Sequence, residues 1–187
     1  MRGRLACTLC IVLVSLLLLP VVAHAQWRPA GIGQNYESDT RSAFVIGGIG
    51  YWSRDVTFGT TWTIGAGMEL PVNSWALVPR LDFEGNDGET AGGTVVRATV
   101  GGRLTTLIVN HASYLEAGFG ALRAEITQDQ FDGTHLDDTV ISPCFILVTG
   151  IMSDPETKPS LLLEGQWSHP TDRVAPGSIL GRFGIRF

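Results

Sequence analysis

The chain has 187 residues, of which 44% are hydrophobic and 17% charged, and its formal net charge is −5 at pH 7. This length fits one domain. The acidic balance and the single lysine, Lys158, leave no basic patch for nucleic acid, which we exclude as a partner.

Residues 1–25 have the three parts of a secretory signal peptide. Two arginines within the first four residues precede an apolar stretch over 11–19, and Ala23 and Ala25 form a small-x-small cleavage site before Gln26. We therefore predict Sec-type export with cleavage before Gln26. An uncleaved membrane anchor is the alternative, but the apolar stretch is short for a spanning helix.

Residues 26–40 lack a strand pattern, and we expect them to be a periplasmic lead segment. Cleavage of the signal moves the formal charge from −5 to about −7. Cys144 is then the only cysteine, so no intramolecular disulfide is expected. Residues 41–187 are predicted to form the single folded domain.

Beyond residue 40, eight segments bounded by turn residues alternate between apolar and polar positions. They are 42–52, 56–70, 74–84, 93–107, 112–125, 139–152, 158–168 and 178–187. Most are longer than a usual soluble strand and fit a tilted, membrane-spanning one. We therefore predict an all-β fold, an eight-stranded antiparallel up-and-down transmembrane β-barrel.

One side of most predicted strands is apolar, whereas the other side carries charges; the strands at 42–52 and 139–152 are mixed. Outer-membrane barrels have an apolar outer face and a polar interior. The charged positions expected to face inward are Glu69, Arg80, Asp82, Glu84, Arg97, Arg103, Glu116, Glu164, Arg182 and Arg186. Because eight strands leave room only for side chains, we expect a plugged lumen without an open pore.

Buried charges must be paired, and the guanidinium group suits a carboxylate because it can donate two parallel hydrogen bonds. Neighbouring strands predict two sets of ion pairs. They join Glu164 to Arg182 and Arg186, and Arg97 and Arg103 to Asp82 and Glu84.

Aromatic residues and prolines give further expectations. Trp52 and Trp167 at the outer strand ends, and Trp75 and Phe187 at the periplasmic ends, are predicted to form two interfacial girdles. Proline cannot donate to a strand ladder, so we expect a β-bulge at Pro79 and at Pro143.

The predicted connections alternate in length. Short ones at 71–73, 108–111 and 153–157 are expected in the periplasm, and longer ones at 85–92, 127–138 and 169–177 outside, since outer-membrane barrels have short periplasmic turns and longer external loops.

The final strand ends on Phe187, with Ile185 and Phe183 on the same face. With the export signal and the alternating strands, this ending resembles small Gram-negative outer-membrane barrels such as the transmembrane domain of OmpA and the OmpX and opacity proteins. The resemblance implies that Phe183, Ile185 and Phe187 are an assembly signal read by the barrel-assembly machinery. It also implies an outer-membrane monomer in contact with lipids and lipopolysaccharide, without cofactor or catalysis, whose structural, adhesive or surface-interaction role lies in external loops.

Two other functions are weighed. Lipid A deacylases are similar barrels with a His-x-Ser pair on the lipid-facing wall, and His169 and Thr171 lie at a comparable place. Threonine replaces the serine there, and Pro170 lies between the two residues. A secreted, lipocalin-like barrel is the second alternative, and it requires the apolar side chains inside and the arginines outside.

The acidic segment 129–138 is a candidate for divalent cations, including ions that bridge it to lipopolysaccharide phosphates. Its spacing is not that of an EF-hand. We favour a solvated acidic loop and assign no metal site.

Overall fold

The computed structural model describes residues 41–53, 58–87, 91–108, 111–129, 135–153 and 158–187. The predicted signal peptide and lead segment lie outside the described residues. Eight strands are formed: β1 Ser42–Ser53, β2 Phe58–Val72, β3 Trp75–Asp87, β4 Ala91–Ile108, β5 His111–Asp129, β6 His135–Met152, β7 Ser160–Pro170 and β8 Gly177–Arg186. No helix in this part of the chain is long and apolar enough to cross a membrane.

The strands close into a barrel in which every strand pairs antiparallel with its neighbours in sequence, and β8 returns to pair with β1. Each of the eight predicted strands corresponds to one of these elements, so the predicted fold class is confirmed. The two ends of the barrel are called here the terminal end, where β1 begins and β8 ends, and the loop end, opposite it.

The outer surface of the barrel is apolar. Phe119 is 69% exposed and Ile49 is 68% exposed, and both belong to a band of exposed large hydrophobic side chains that all eight strands supply. The five arginines and five acids predicted to point inward are instead buried. A soluble barrel needs the opposite arrangement, so the lipocalin-like alternative is excluded.

Two apolar clusters fill the parts of the lumen that the charges do not. The terminal-end cluster consists of Phe44, Ile46, Val78, Ala112, Tyr114, Ile146, Val148, Met152 and Leu162. The loop-end cluster consists of Trp52, Val95, Leu122, Ala124, Ile126, Cys144 and Ala175. Strands β1 and β6 supply apolar side chains to these clusters as well as to the outer surface, which explains their mixed pattern in the sequence.

Trp52 does not belong to an interfacial girdle, and that prediction is wrong. The even-numbered residues of β1 face the lumen, so Trp52 is 2% exposed and its Nε1 donates to Glu84 Oε2 at 2.9 Å. Trp75, Trp167 and Phe187 do face outward. Because Trp52 lies near the end of its strand, its position alone does not distinguish an aromatic residue at the interface from one inside the barrel.

The prolines interrupt pairing without a bulge, which corrects the second expectation. Strand β3 keeps one register with β4 through Pro79, and its pairing with β2 has the same offset on both sides of it. Strand β6 keeps its register with β5 through Pro143. Pairing of β6 with β7 begins only at Cys144, so Pro143 lies where no strand needs its missing N–H.

Strand length differs around the barrel. Strands β4, β5 and β6 have 18, 19 and 18 residues, whereas β7 and β8 have 11 and 10. The long strands extend through much of the segments predicted as loops, which leaves connections of 88–90 and 130–134 at the loop end. The predicted alternation of short turns and long loops is therefore wrong for these two hairpins, because strand pairing continues through their acidic residues.

Candidate functional site

A chain of alternating charges crosses the lumen. Neighbouring members are joined by ion pairs in the order Arg186, Glu69, Arg103, Glu116, Arg80, Glu164, Arg182 and Asp82. Six strands supply these residues: β2, β4, β5 and β7 give one each, whereas β3 gives Arg80 and Asp82 and β8 gives Arg182 and Arg186. Four positive and four negative charges are thereby neutralised within one network.

Arg80 holds the centre of this chain. Its Nε and Nη2 donate to the two oxygens of Glu116 at 2.7 and 2.9 Å, and its Nη1 and Nη2 donate to those of Glu164 at 2.8 and 3.1 Å. All three side chains are fully buried. One planar guanidinium thus binds two carboxylates bidentately and spans from β3 to β5 on one side and to β7 on the other.

Arg103 is held from several directions. Its Nε and Nη2 donate to Glu116 Oε2 at 3.0 and 2.7 Å, and its Nη1 pairs with Glu69. Its guanidinium lies 4.1 Å from the ring centre of Tyr114 and 5.4 Å from that of Phe44. The aromatic faces cover the cation where no carboxylate does, which offsets part of its desolvation.

A second polar cluster lies nearer the loop end. Arg97 pairs with Glu84, which also accepts from Trp52 and, at 3.3 Å, from the hydroxyl of Ser178. Ser178 and Ser168 share a hydrogen bond of 2.7 Å. This cluster lies beside the loop-end cluster and accounts for the remaining two of the ten predicted charges.

The observed partners differ in part from those expected. Glu164 contacts Arg182, and Arg97 contacts Glu84, as neighbouring strands predict. The pairing expected for Arg103 with acids of β3 is wrong, because the register places Ala76 opposite it on β3 and Glu116 opposite it on β5. The pairing expected between Glu164 and Arg186 is also wrong, because Arg186 pairs with Glu69.

Contacts across the lumen were not predicted at all. The hydroxyl of Tyr114 on β5 donates to Glu164 on β7 at 2.7 Å. Arg182 on β8 reaches Asp82 on β3, on the far side of the lumen, at 2.7 Å. A strand pattern gives the face of each residue but not which strands oppose one another, so these partners follow only from closure of the barrel.

The seam between β1 and β8 is joined at the terminal end. Arg186 Nε donates to Glu69 Oε2 at 2.7 Å and to Ser42 Oγ at 2.9 Å, and Ser42 Oγ donates to the same carboxylate at 2.8 Å. The backbones of Ala43 and Phe187 exchange hydrogen bonds of 3.2 and 2.8 Å. On the opposite face of β8, the members of the predicted assembly signal, Phe183, Ile185 and Phe187, point outward.

A small recess opens at the terminal end. It has a volume of about 20 Å³, and its lining includes Glu69, Trp75, Arg103 and Met152. This volume holds about one water molecule. At the other end, Ala175 of the β7–β8 connection is 4% exposed and packs on the loop-end cluster.

The proposed hydrolase pair is not assembled. The ring of His169 stacks on that of Trp167 with centroids 5.6 Å apart, and both face outward. The hydroxyl of Thr171 donates to the carbonyl of Pro143 at 3.3 Å and lies 3.4 Å from Ser142 Oγ. Within the described residues no hydrogen bond joins His169 to Thr171, so the nucleophile-to-base contact that such chemistry uses is not formed.

Half of the candidate cation segment 129–138, residues 130–134, lies outside the described residues. Within the described part of the chain, no group of three or more His, Cys, Asp or Glu side chains is arranged to hold a metal ion.

Several solved bacterial proteins share this fold. Neisserial surface protein A, from Neisseria, matches with a TM-score of 0.66 and 12% identity over 78% of this chain and 95% of that chain. The N-terminal β-barrel domain of OprF from Pseudomonas aeruginosa matches with a TM-score of 0.53 and 14% identity, over 83% of this chain and 99% of that chain. Ail, the attachment invasion locus protein of Yersinia pestis, matches with a TM-score of 0.50 and 14% identity, over 80% of this chain and 100% of that chain. No protein-family model and no curated protein matches the sequence.

The chain has the fold of the small outer-membrane β-barrels. Its surface agrees with that environment, because the apolar outward band of the barrel requires hydrocarbon around it. A closed barrel pairs the backbone groups between strands and leaves no open sheet edge in lipid. The protein is therefore an integral barrel of the bacterial outer membrane.

Proposed function

We propose that this protein is a non-enzymatic outer-membrane barrel with a plugged lumen, and that its role, structural or adhesive, is performed by its external end. The observation that carries the proposal is the chain of eight alternating charges between two apolar clusters. Opening a path for ions would break buried pairs whose partners would then be left uncompensated, at a cost of about 3–5 kcal/mol for each.

The orientation follows from the even number of strands. Both ends of the barrel domain lie at the terminal end, which we assign to the periplasm, and the loop end then faces the cell exterior. The outward band contacts membrane lipid, and lipopolysaccharide surrounds the barrel at the level of Trp167. We further propose that the protein is a monomer, exported by cleavage before Gln26 and delivered to the assembly machinery by the strand that ends at Phe187.

Conductance measurements test the plugged lumen. The full chain is refolded into lipid vesicles, and the influx of small sugars is followed by vesicle swelling beside a large porin as positive control. We expect no swelling above that of empty vesicles. Swelling that scales with the amount of folded protein contradicts the plug.

Fractionation tests the membrane assignment separately. We expect recovery in the detergent-extracted outer membrane and a shift in gel migration between unheated and boiled samples. Recovery in the detergent-free periplasmic fraction contradicts the assignment.

An assay on labelled lipid A tests the absence of catalysis. We expect no release of acyl chains by the protein or by His169→Ala. Activity that disappears in His169→Ala would instead establish the hydrolase.

A further inference from the structure

Strand β6 has a free edge at the loop end. Its pairing with β5 continues to Asp129 opposite His135, whereas its pairing with β7 stops at Cys144 opposite Pro170. Residues 135–143 therefore have a strand on one side only. The rest of β6 lies within the closed wall of the barrel, so this stretch is an extension of the sheet beyond its shorter neighbour.

The direction of the backbone groups along this edge can be assigned. The carbonyl of Pro143 accepts from the amide of Thr171 at 2.9 Å, so the backbone groups of Pro143 face the β7 side. In an antiparallel strand, alternate residues direct their N–H and C=O to the same side. Asp137, Thr139 and Ile141 therefore present theirs to the free side, and in the described part of the chain no backbone group pairs with them there.

At residues 142 and 143, where the free edge meets the closed wall of the barrel, hydrogen bonds from the β7–β8 connection already occupy the edge. Besides the bond from Thr171, the amide of Asp172 donates to Ser142 Oγ at 3.0 Å, and Pro143 has no N–H to offer. An added strand can therefore pair only with residues 135–141, which lie nearer the tip of the hairpin. An exposed row of unpaired donors and acceptors is a template for another strand.

The side chains beside the free groups define what fits. Ile141 is 73% exposed, and Asp137 and Asp138 are exposed on opposite faces of the strand. In the sequence, the segments that include the strand ends at this end of the barrel and the connections between them, residues 53–58, 85–92, 123–141 and 169–177, hold nine acids and three arginines, a net charge of about −6. Since the ten lumen charges cancel, nearly all of the net charge of the exported chain lies here.

This charge selects between possible occupants. A second copy of the chain pairing edge to edge would bring its own Asp137 and Asp138 against the same residues, and like charges on opposed strands are destabilising. A segment with lysine or arginine at alternate positions would meet the acids instead.

We propose that the free edge of β6 binds an extended, cationic peptide segment of a partner protein as an added strand. The backbone groups of Asp137, Thr139 and Ile141 supply the hydrogen bonds, the two aspartates attract the basic side chains, and Ile141 contacts an apolar one. This inference rests on the proposed function, because the edge meets external partners only when the loop end faces outward.

The test uses the full chain folded in detergent micelles and a synthetic nine-residue peptide of alternating lysine and valine. We expect saturable binding by fluorescence anisotropy that weakens with added salt. We also expect slower hydrogen exchange at the amides of Thr139 and Ile141 when the peptide is bound. A peptide with glutamate in place of lysine should not bind. No binding of the lysine peptide, or equal binding of both peptides, overturns the proposal.

Two matched variants isolate the edge. Thr139→Pro removes an N–H that β5 does not use, and one lost hydrogen bond should weaken binding roughly tenfold. Thr139→Val retains that N–H and should bind as the parent does. Equal binding by Thr139→Pro and Thr139→Val overturns the proposal, as does a dimer that forms through this edge with rising protein concentration.

The charge term is measured with the double variant Asp137→Asn and Asp138→Asn, which should bind more weakly and with less dependence on salt. Each variant is also run unheated and boiled on a gel. A variant that keeps the heat-dependent shift but no longer binds the peptide supports the free edge as the binding site. A parent protein without that shift contradicts the proposed function itself.

Discussion

At the scale of single residues, the arginines inside this barrel are stabilised by how completely their donors are used. Arg80 makes four hydrogen bonds to Glu116 and Glu164, and its guanidinium also lies 4.7 Å from the ring centre of Phe44. A buried pair of this kind contributes little compared with apolar packing of equal volume, but loss of one partner is costly because the other charge stays buried.

Arg80→Ala is therefore expected to lower the free energy of unfolding by about 3–5 kcal/mol, since two carboxylates lose their shared partner. Urea titration of the folded barrel in micelles measures this. The matched control is Arg123→Ala, because Arg123 pairs with Glu125 at 2.6 Å while their side chains are 59% and 55% exposed. Its expected cost is about 0–1 kcal/mol. Equal losses in the free energy of unfolding for the two variants would show that the buried ion pairs contribute no more to stability than an exposed pair does.

At the scale of the element, strand β8 has two tasks on its two faces. Arg182 and Arg186 join the lumen network from inside, while Phe183, Ile185 and Phe187 face lipid. The inner face holds the closed barrel together, because Arg186 contacts β1 and β2 across the seam. We propose that the outer face acts earlier, when the strand is presented to the assembly machinery before closure.

Phe187→Ala is accordingly expected to slow assembly into the outer membrane while leaving the unfolding free energy of the finished barrel within about 1 kcal/mol of the parent, since the side chain is exposed. Pulse-chase measurement of the heat-shifted form gives the rate, and urea titration gives the stability. Phe187→Tyr, which retains the aromatic ring, is the control. An unchanged rate for Phe187→Ala would contradict the role of this residue as an assembly signal.

At the scale of the whole molecule, charge is separated by location. The lumen holds five arginines and five acids that neutralise one another, while the loop end carries a net charge of about −6. Buried pairs are screened much less by salt than exposed charges are. Stability and surface binding should therefore respond differently to ionic strength.

The free energy of unfolding is expected to change by less than about 1 kcal/mol between roughly 0.05 and 1 M sodium chloride, whereas affinity for the cationic peptide should fall steeply over the same range. Parallel titrations on the same preparation measure both. Uncharged sucrose at matched osmolality controls for effects of solute on the barrel. A stability that drops together with the peptide affinity would mean that water and ions reach the lumen network.

The number of strands, their alternation and the inward face of all ten lumen charges can be predicted from the amino-acid pattern, because side-chain direction along a strand depends only on local geometry. That pattern did not reveal the inward position of Trp52, the continuous register at Pro79 and Pro143, or the extension of β6 beyond β7. Those depend on the offsets between strands.

Which of these charges form ion pairs depends on how the strands are arranged around the barrel. Glu116 and Arg80 are brought together only when the sheet closes, because closure sets which side chains oppose one another across the lumen. The free edge of β6 also depends on the arrangement of neighbouring strands. Because β7 is shorter than β6, backbone groups at residues 137–141 have no strand partner on that side among the described residues.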